Sequence, residues 1–298
     1  MRIRHRHLAV WALAAAAFVL AGASCVHPVS TPLAERPHVV FAGVRSSIYG
    51  IKPFPDPAGW EKAILTMSSY YKGSTPVAVW IVGKIVNHTD CRLEFPGDAT
   101  GLADIQFSDL DRHEAYLSQF DRAGIKVFLQ VEPANADMKM LIDLVLGRYG
   151  KHPCVIGFGV DVEWHREADR PERGVPVDDE MGRQWEAWVK AHNPIFRLFI
   201  KHWDQSWLCP TYRGDIIFVD DSQILPNMEA MVAEFDAWGK SFKPNTVLFQ
   251  IGYPSDKPWW SLLAQPAKTL GQAIAAKIEQ DCGIIWVDFT LKDVLPLR

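Results

Sequence analysis

The sequence predicts a single (β/α)8 barrel of the α/β class over residues 38–298. Three observations predict it. Eight short runs are almost continuously apolar, as strands buried on both faces of a parallel sheet must be. Amphipathic segments of helical period lie between most of them, and strands alternating with helices count out a barrel. No glycine-rich phosphate loop follows the first run, which disfavours the competing architecture, a doubly wound open sheet.

The elements follow in order. "HVVFAGV" (38–44) is the first strand, followed by the helical "WEKAILTMSSYY". "PVAVWIVG" (76–83) is the second, and "SDLDRHEAYLSQFDRAG" the helix after it, with Ser108 as its expected N-cap and Gly124 as its C-cap. "IKVFLQV" (125–131) leads to "DMKMLIDLVLGRYG", closed by Gly150, and "CVIGFGV" (154–160) to "EMGRQWEAWVKAH". The fifth strand, "IFRLFI" (195–200), is followed by "HWDQSWLCPTYRG", which has room for a short helix at most. "DIIFVD" (215–220) precedes "NMEAMVAEFDAWGK", and "TVLFQIG" (246–252) precedes "TLGQAIAAKIEQ". "GIIWVDF" (283–289) is the eighth strand, and so little chain remains that the last helix is missing or vestigial.

Residues 1–25 read as an export signal outside the barrel: a basic "MRIRHRH", an apolar "LAVWALAAAAFVLAG", then small residues. The apolar run is too short for a comfortable membrane span. Cleavage after Ala23 would release a soluble protein to the periplasm or medium. Cleavage before Cys25 would leave a thiol to carry lipid and tie the protein to a membrane surface. Residues 26–37, "VHPVSTPLAERP", form a Pro-rich tether. Export permits disulfides, but Cys91, Cys154, Cys209 and Cys282 match no zinc spacing and read as buried thiols. The net charge of −4, with no basic stripe beyond residue 7, argues against a nucleic-acid partner. No cofactor motif is present, and none is expected.

A barrel of this kind carries its site at the C-terminal ends of its strands. Polar residues there are Arg45, Ser46 and Ser47; Trp80 and Lys84; Gln130 and Glu132; Asp161 and Glu163; Lys201 and His202; Asp220 and Asp221; Gln250 and Tyr253; Trp286 and Asp288. The stretch "GFGVDVEWH" (157–165) is the most informative. Side chains alternate along a strand, so Gly157, Gly159, Asp161 and Glu163 share a face, and that face points into the barrel. Two carboxylates so close raise each other's pKa, which suits one of them to remain protonated as a general acid. By the same alternation only one of Asp220 and Asp221 can point inward. Trp286 is either core filler or a platform for a sugar ring, and "GYPSDKPWW" (252–260) is either a ligand wall or a packed lid. His165 and His202 beside the acids offer a divalent-metal reading, although no ligand spacing such as H-x-x-x-H is present. His152 lies ahead of its strand, on the face that serves stability.

"GFGVDVEW" resembles the D-G-x-D-x-D-x-E strand motif of glycoside hydrolase family 18, the chitinase-like barrels, with Gly157 and Gly159 in place of its first two acids. "KVFLQVEP" resembles that family's third strand, "LVLGRYG" the helix before the motif and "CGIIWVDF" its eighth strand, while "FVDDSQ" is loosely similar to its sixth-strand x-Y-D. The resemblance implies a substrate-assisted retaining glycosidase, with Glu163 protonating the glycosidic oxygen and Asp161 orienting a 2-acetamido group. It implies Trp286 as floor of the sugar subsite. Tyr253, Asp221, Gln250, Glu132 and Trp80 are the further substrate-binding candidates. Two alternatives stand beside this. Glu132 and Glu163 could act as a carboxylate pair on a plain polysaccharide, unless Glu132 is tied up by Lys84 or Lys201. Alternatively, the protein is a non-catalytic carbohydrate-binding lipoprotein on a degenerate barrel.

Overall fold

A computed structural model describes residues 38–166 and 174–295. The export signal, Cys25 and the tether lie outside the described residues.

The strands, in chain order, are β1 (Val39–Ser46), β2 (Thr75–Val86), β3 (Asp90–Leu93), β4 (Ile105–Phe107), β5 (Lys126–Val131), β6 (Val155–Asp161), β7 (Arg197–Lys201), β8 (Ile217–Asp220), β9 (Val247–Ile251) and β10 (Cys282–Val287). The sheet order is β1-β10-β9-β8-β7-β6-β5-β2, and β1 also pairs with β2, which closes eight parallel strands into a ring. The chain is therefore a (β/α)8 barrel. Alternation sorts its residues into two cores. Val77, Val79, Phe128, Phe199, Ile217, Val219, Leu248 and Ile285 form one buried cluster, the barrel interior. Their neighbours in sequence, such as Ala78, Trp80, Leu198, Phe218, Phe249 and Trp286, belong to the larger cluster shared with the helices.

The helices are α1 (Pro57–Ser69), α2 (Glu114–Ala123), α3 (Met138–Tyr149), α4 (Asp179–His192), α5 (Met228–Ser241), α6 (Lys257–Trp260), α7 (Pro266–Ala275) and α8 (Leu291–Val294). α1 begins where Asp56 Oδ1 accepts from Gly59 N at 2.7 Å and Pro57 needs no partner for a missing N–H. The expected cap of α2 is corrected. The helix starts well after Ser108, and Asp111 Oδ1 accepts from His113 N and Glu114 N at 2.9 and 3.1 Å. Gly124 ends α2 in the left-handed region, φ 69°, as a C-cap glycine should. Gly150 follows α3 at φ −62°, and its reason is space: a Cβ there would stand 2.5 Å from Leu146 O. Between β7 and β8 there is only a 3-10 turn, Gln205–Trp207, and after β10 the described residues hold only a further 3-10 turn and the four-residue α8. The sequence reading missed one feature. β2 runs on to Val86 and carries the antiparallel β3, to which β4 adds in parallel. The four cysteines named above are free and buried.

Candidate active site

Alternation continues to the top of the barrel and sets the site. On β6, Gly157 and Gly159 share the inward face with Asp161. A Cβ on Gly157 would lie 2.1 Å from Arg197 O, and one on Gly159 would lie 2.0 Å from the Phe199 ring. Phe128 and Phe199, edge to face at 5.7 Å, fill that space. Where the chitinase-like motif has its first two acids, this chain has an apolar layer. Above it stands a polar one.

Lys201, the inward residue after Phe199 on β7, is the hub of that layer. Its Nζ lies 3.1 Å from Asp161 Oδ1 and 3.6 Å from Glu163 Oε2, and it donates to Asp221 Oδ2. Gln130 Nε2 donates to Asp161 Oδ2 at 3.1 Å. Tyr253 OH donates to Gln250 Oε1 at 3.2 Å and approaches Asp221 Oδ2 at 3.4 Å. Arg45 enters from β1, 3.8 Å from Asp288 Oδ1 and 5.1 Å from the Phe289 ring, and Asp288 is fixed by Ser47 N at 2.8 Å. Several buried polar atoms of this ring have no hydrogen-bond partner: Arg45 Nε and Nη1, Gln130 Oε1, Gln250 Nε2 and Asp221 Oδ1. Buried polar groups are rarely left unmatched, and here five such atoms gather at one mouth of the barrel.

Charge balance makes the cluster unusual. Lys201 is one cation against three acids. Burial raises the Asp161 carboxyl well above its usual range; Lys201 opposes this, and Glu163, Asp221 and Glu132 add to it. Burial likewise raises Glu163, again against Lys201. For Lys201, burial favours the neutral amine, but Asp161, Asp221 and Glu163 outweigh it and hold the ammonium well above its ordinary pKa. A lysine so held is no imine-forming nucleophile; it neutralises and positions. Of the three acids, Asp161 and Asp221 are nearly sealed, with side chains 2% and 5% exposed, whereas Glu163 is 24% exposed.

Four sequence expectations change here. β6 ends at Asp161, and Val162–Trp164 form a 3-10 turn, so Glu163 does not share a strand face with Asp161. The turn, not the alternation, brings its carboxylate to Lys201. Trp286 is no sugar floor. It faces the helix layer at 1% exposure, edge on to Trp260 at 5.3 Å, with Nε1 donating to Thr290 Oγ1. Trp80 likewise packs outward, among Trp60, Tyr116 and Phe120, and donates from Nε1 to His113 Nδ1 at 3.0 Å. Neither lysine occupies Glu132: Lys84 pairs with Glu94 at 3.2 Å, while Glu132 Oε2 accepts from Tyr49 OH at 2.6 Å and Ile85 N at 3.2 Å. Asp221 is the inward member of its pair. Asp220 lies on the alternate face, accepting from Ser222 N at 2.8 Å.

The metal reading finds no support at this cluster. His165 Nδ1 meets Val175 O at 3.0 Å and its ring packs edge on to Trp185. His202 lies flat on Trp207, 4.9 Å between centroids at 5°. Among the described residues, the side chains spaced like metal ligands are the carboxylate of Asp121, the imidazole of His152 and the thiol of Cys154, at the opposite end of β6. There, His152 Nδ1 and Cys154 N are both engaged by the Asp121 carboxylate, at 2.7 and 2.8 Å.

Sequence reasoning missed Trp203. It stands in the loop after β7, 49% exposed, and borders with Glu163 an open cleft of about 670 Å³. No strand periodicity reaches a loop residue; the signal available was a tryptophan two positions beyond an inward lysine.

No protein-family model and no curated protein matches the sequence. Among solved structures, the chain is similar to a Bacteroides thetaiotaomicron protein assigned as an alpha-L-fucosidase, at 11% identity over 92% of each chain, TM-score 0.45. It is also similar to a family 29 alpha-L-fucosidase from Bacteroides thetaiotaomicron, at 10% identity, over 84% of this chain and 66% of that one, TM-score 0.43. A Parabacteroides merdae beta-glucuronidase matches at 12% identity over 62% of this chain and 26% of its own, TM-score 0.39. Chemistry has to be read from the side chains of this chain itself.

Proposed function

We propose that the protein is an exported glycoside hydrolase that cleaves glycans bearing 2-acetamido sugars, with Glu163 as general acid. One observation carries this reading: at the mouth of the barrel a single buried ammonium serves three carboxyl groups, and the one whose proton is favoured and which also opens to solvent is Glu163. Export rests on the basic and apolar pattern of residues 1–25.

In the first step Glu163 gives its proton to the glycosidic oxygen as the C1–O bond breaks. The acetamido carbonyl oxygen of the same sugar attacks C1, and the cationic ring that forms is paired with Asp161, which Lys201 draws toward its carboxylate form against the pull of burial. Water then attacks C1, Glu163 takes its proton, and the acetamide is restored. Gln130 and Lys201 orient Asp161 for this, Gln250 Nε2 and Arg45 present donors to sugar oxygens, and the Tyr253 hydroxyl oxygen can accept from a sugar hydroxyl. A second reading is favoured by a specific observation. Glu132 is held by a tyrosine hydroxyl and a backbone N–H rather than by a lysine, as suits a carboxylate that attacks C1 directly.

The test is hydrolysis of a panel of oligosaccharides with and without 2-acetamido groups. Glu163→Gln should lower turnover about 10²–10⁴-fold while leaving the fold intact, because the amide keeps the shape but has no acidic proton to give. Asp161→Asn should impair it also. Glu132→Gln should matter little under substrate assistance and as much as Glu163→Gln under the two-carboxylate reading. Binding without hydrolysis anywhere on the panel would turn the conclusion to a carbohydrate-binding protein.

A further inference from the structure

We infer that the cleft beside Glu163 is a binding site for a second sugar, on the leaving-group side of the cleaved bond, and that the substrate is therefore an oligo- or polysaccharide rather than a glycoside of a small alcohol. This rests on the glycosidase reading and adds to it.

The cleft is bordered by Glu163, Trp203, Gln205, Gln223, Ile224 and Leu225 among others, and its volume of about 670 Å³ falls within the range of roughly 300–1,000 Å³ usual for ligand sites. A general acid sits beside the oxygen that it protonates. Whatever part of the substrate lies in the space onto which Glu163 opens is thus the departing part. The aromatic surface there is held in place. Trp203 rests against His202, ring centres 5.2 Å apart at 32°, and His202 is stacked in turn on Trp207. Burial draws the His202 pKa down to about 4, so the ring between the two indoles is neutral, and Asp204 N donates to its Nδ1 at 2.7 Å. Ser222 Oγ donates to Trp203 O at 3.3 Å. An indole held this firmly but left 49% exposed presents a flat apolar face, the complement of the C–H face of a pyranose.

The other border of the cleft points the same way. Ile224 is 81% exposed and sits at φ 65°, a conformation that a β-branched residue adopts only under constraint. The constraint comes from the buried Asp256, whose Oδ1 accepts from Leu225 N at 2.8 Å. Stability does not call for an exposed isoleucine in the left-handed region; a sugar ring lying against Trp203 and Ile224 does.

The experiment compares the panel oligosaccharide that the protein cleaves fastest with the glycosyl fluoride of its non-reducing sugar. Fluoride puts nothing in the cleft and leaves without a proton. Trp203→Ala should lower kcat/KM on the oligosaccharide about tenfold more than on the fluoride, and Trp203→Phe, which keeps an aromatic face, should recover most of the difference. Circular dichroism and the unfolding midpoint establish that the variants are folded. Equal effects on both substrates, or none, would overturn this inference and leave the glycosidase reading standing. A wild-type protein inert on every oligosaccharide and every fluoride would overturn both.

Discussion

At the scale of single residues, Lys201 decides the electrostatics. Its three carboxyl partners are buried or half-buried, and removing the one cation leaves acids that must either ionise unpaired or stay protonated. Lys201→Met should therefore destabilise the fold by about 3–5 kcal/mol near neutral pH. The sign of its pH dependence follows from linkage. In the variant, the folded-state pKa values of Asp161 and Glu163, already raised, rise further, while the unfolded chain keeps ordinary carboxyl values. Folded protein then binds more protons than unfolded protein at pH above the carboxylate range, so stability falls as pH rises. Denaturation at acid and at alkaline pH should show a smaller loss in acid; a loss independent of pH would mean that Lys201 acts by packing alone. The same raised carboxyl governs the wild-type activity profile. Glu163 works protonated, so kcat/KM should decline as pH climbs through its raised pKa, and Glu163→Gln should lack that limb. Asp161 was legible in the sequence because alternation reaches just to the end of β6, whereas Asp221, one residue past the end of β8, was legible only as one member of a pair. Trp286 and Trp80 were misread because proximity to a strand end was weighed above parity: Ile285 and Val79 point inward, so their neighbours cannot.

At the scale of elements, β6 and β7 are fitted to each other through glycine. Gly159 cedes its side-chain volume to the Phe199 ring, which in turn packs on Phe128. Gly159→Ala puts a methyl where ring carbons already stand, and overpacking of this kind costs about 1–3 kcal/mol. Phe199→Leu in the same protein should return part of that loss, and the two changes should be non-additive in urea denaturation because they share one space. Additive effects would show that the strand yields instead of the ring. The eight barrel strands were readable because burial on both faces leaves an unbroken apolar run, which few other structures demand. β3 and β4 were not. They are short, of four and three residues, and partly exposed, so neither length nor apolar continuity sets them apart from a loop. The turn that carries Glu163 was equally hidden, since a strand motif and a strand ending in a 3-10 turn are spelled with the same letters.

At the scale of the whole molecule, closure is the source of cooperativity. Every barrel strand has both its neighbours within residues 39–287, and the ring is joined where β1 meets β10 on one side and β2 on the other. The start of this arrangement is His38, whose carbonyl accepts from Cys282 N at 3.0 Å. The ring is complete among the described residues. A chain beginning at Pro37 should thus unfold in one transition, with the same midpoint as a chain beginning at Val26, when both are followed by tryptophan fluorescence and circular dichroism. A chain beginning at Gly50 loses β1 entirely. It opens two ladders at once, leaves β2 and β10 as bare edges, and removes Arg45 from the mouth, so it should fail to fold or should aggregate through those edges. If the Gly50 chain kept a sharp transition, the barrel would have to tolerate an open seam, and β1 would be an ornament of the sheet instead of the strand that closes it.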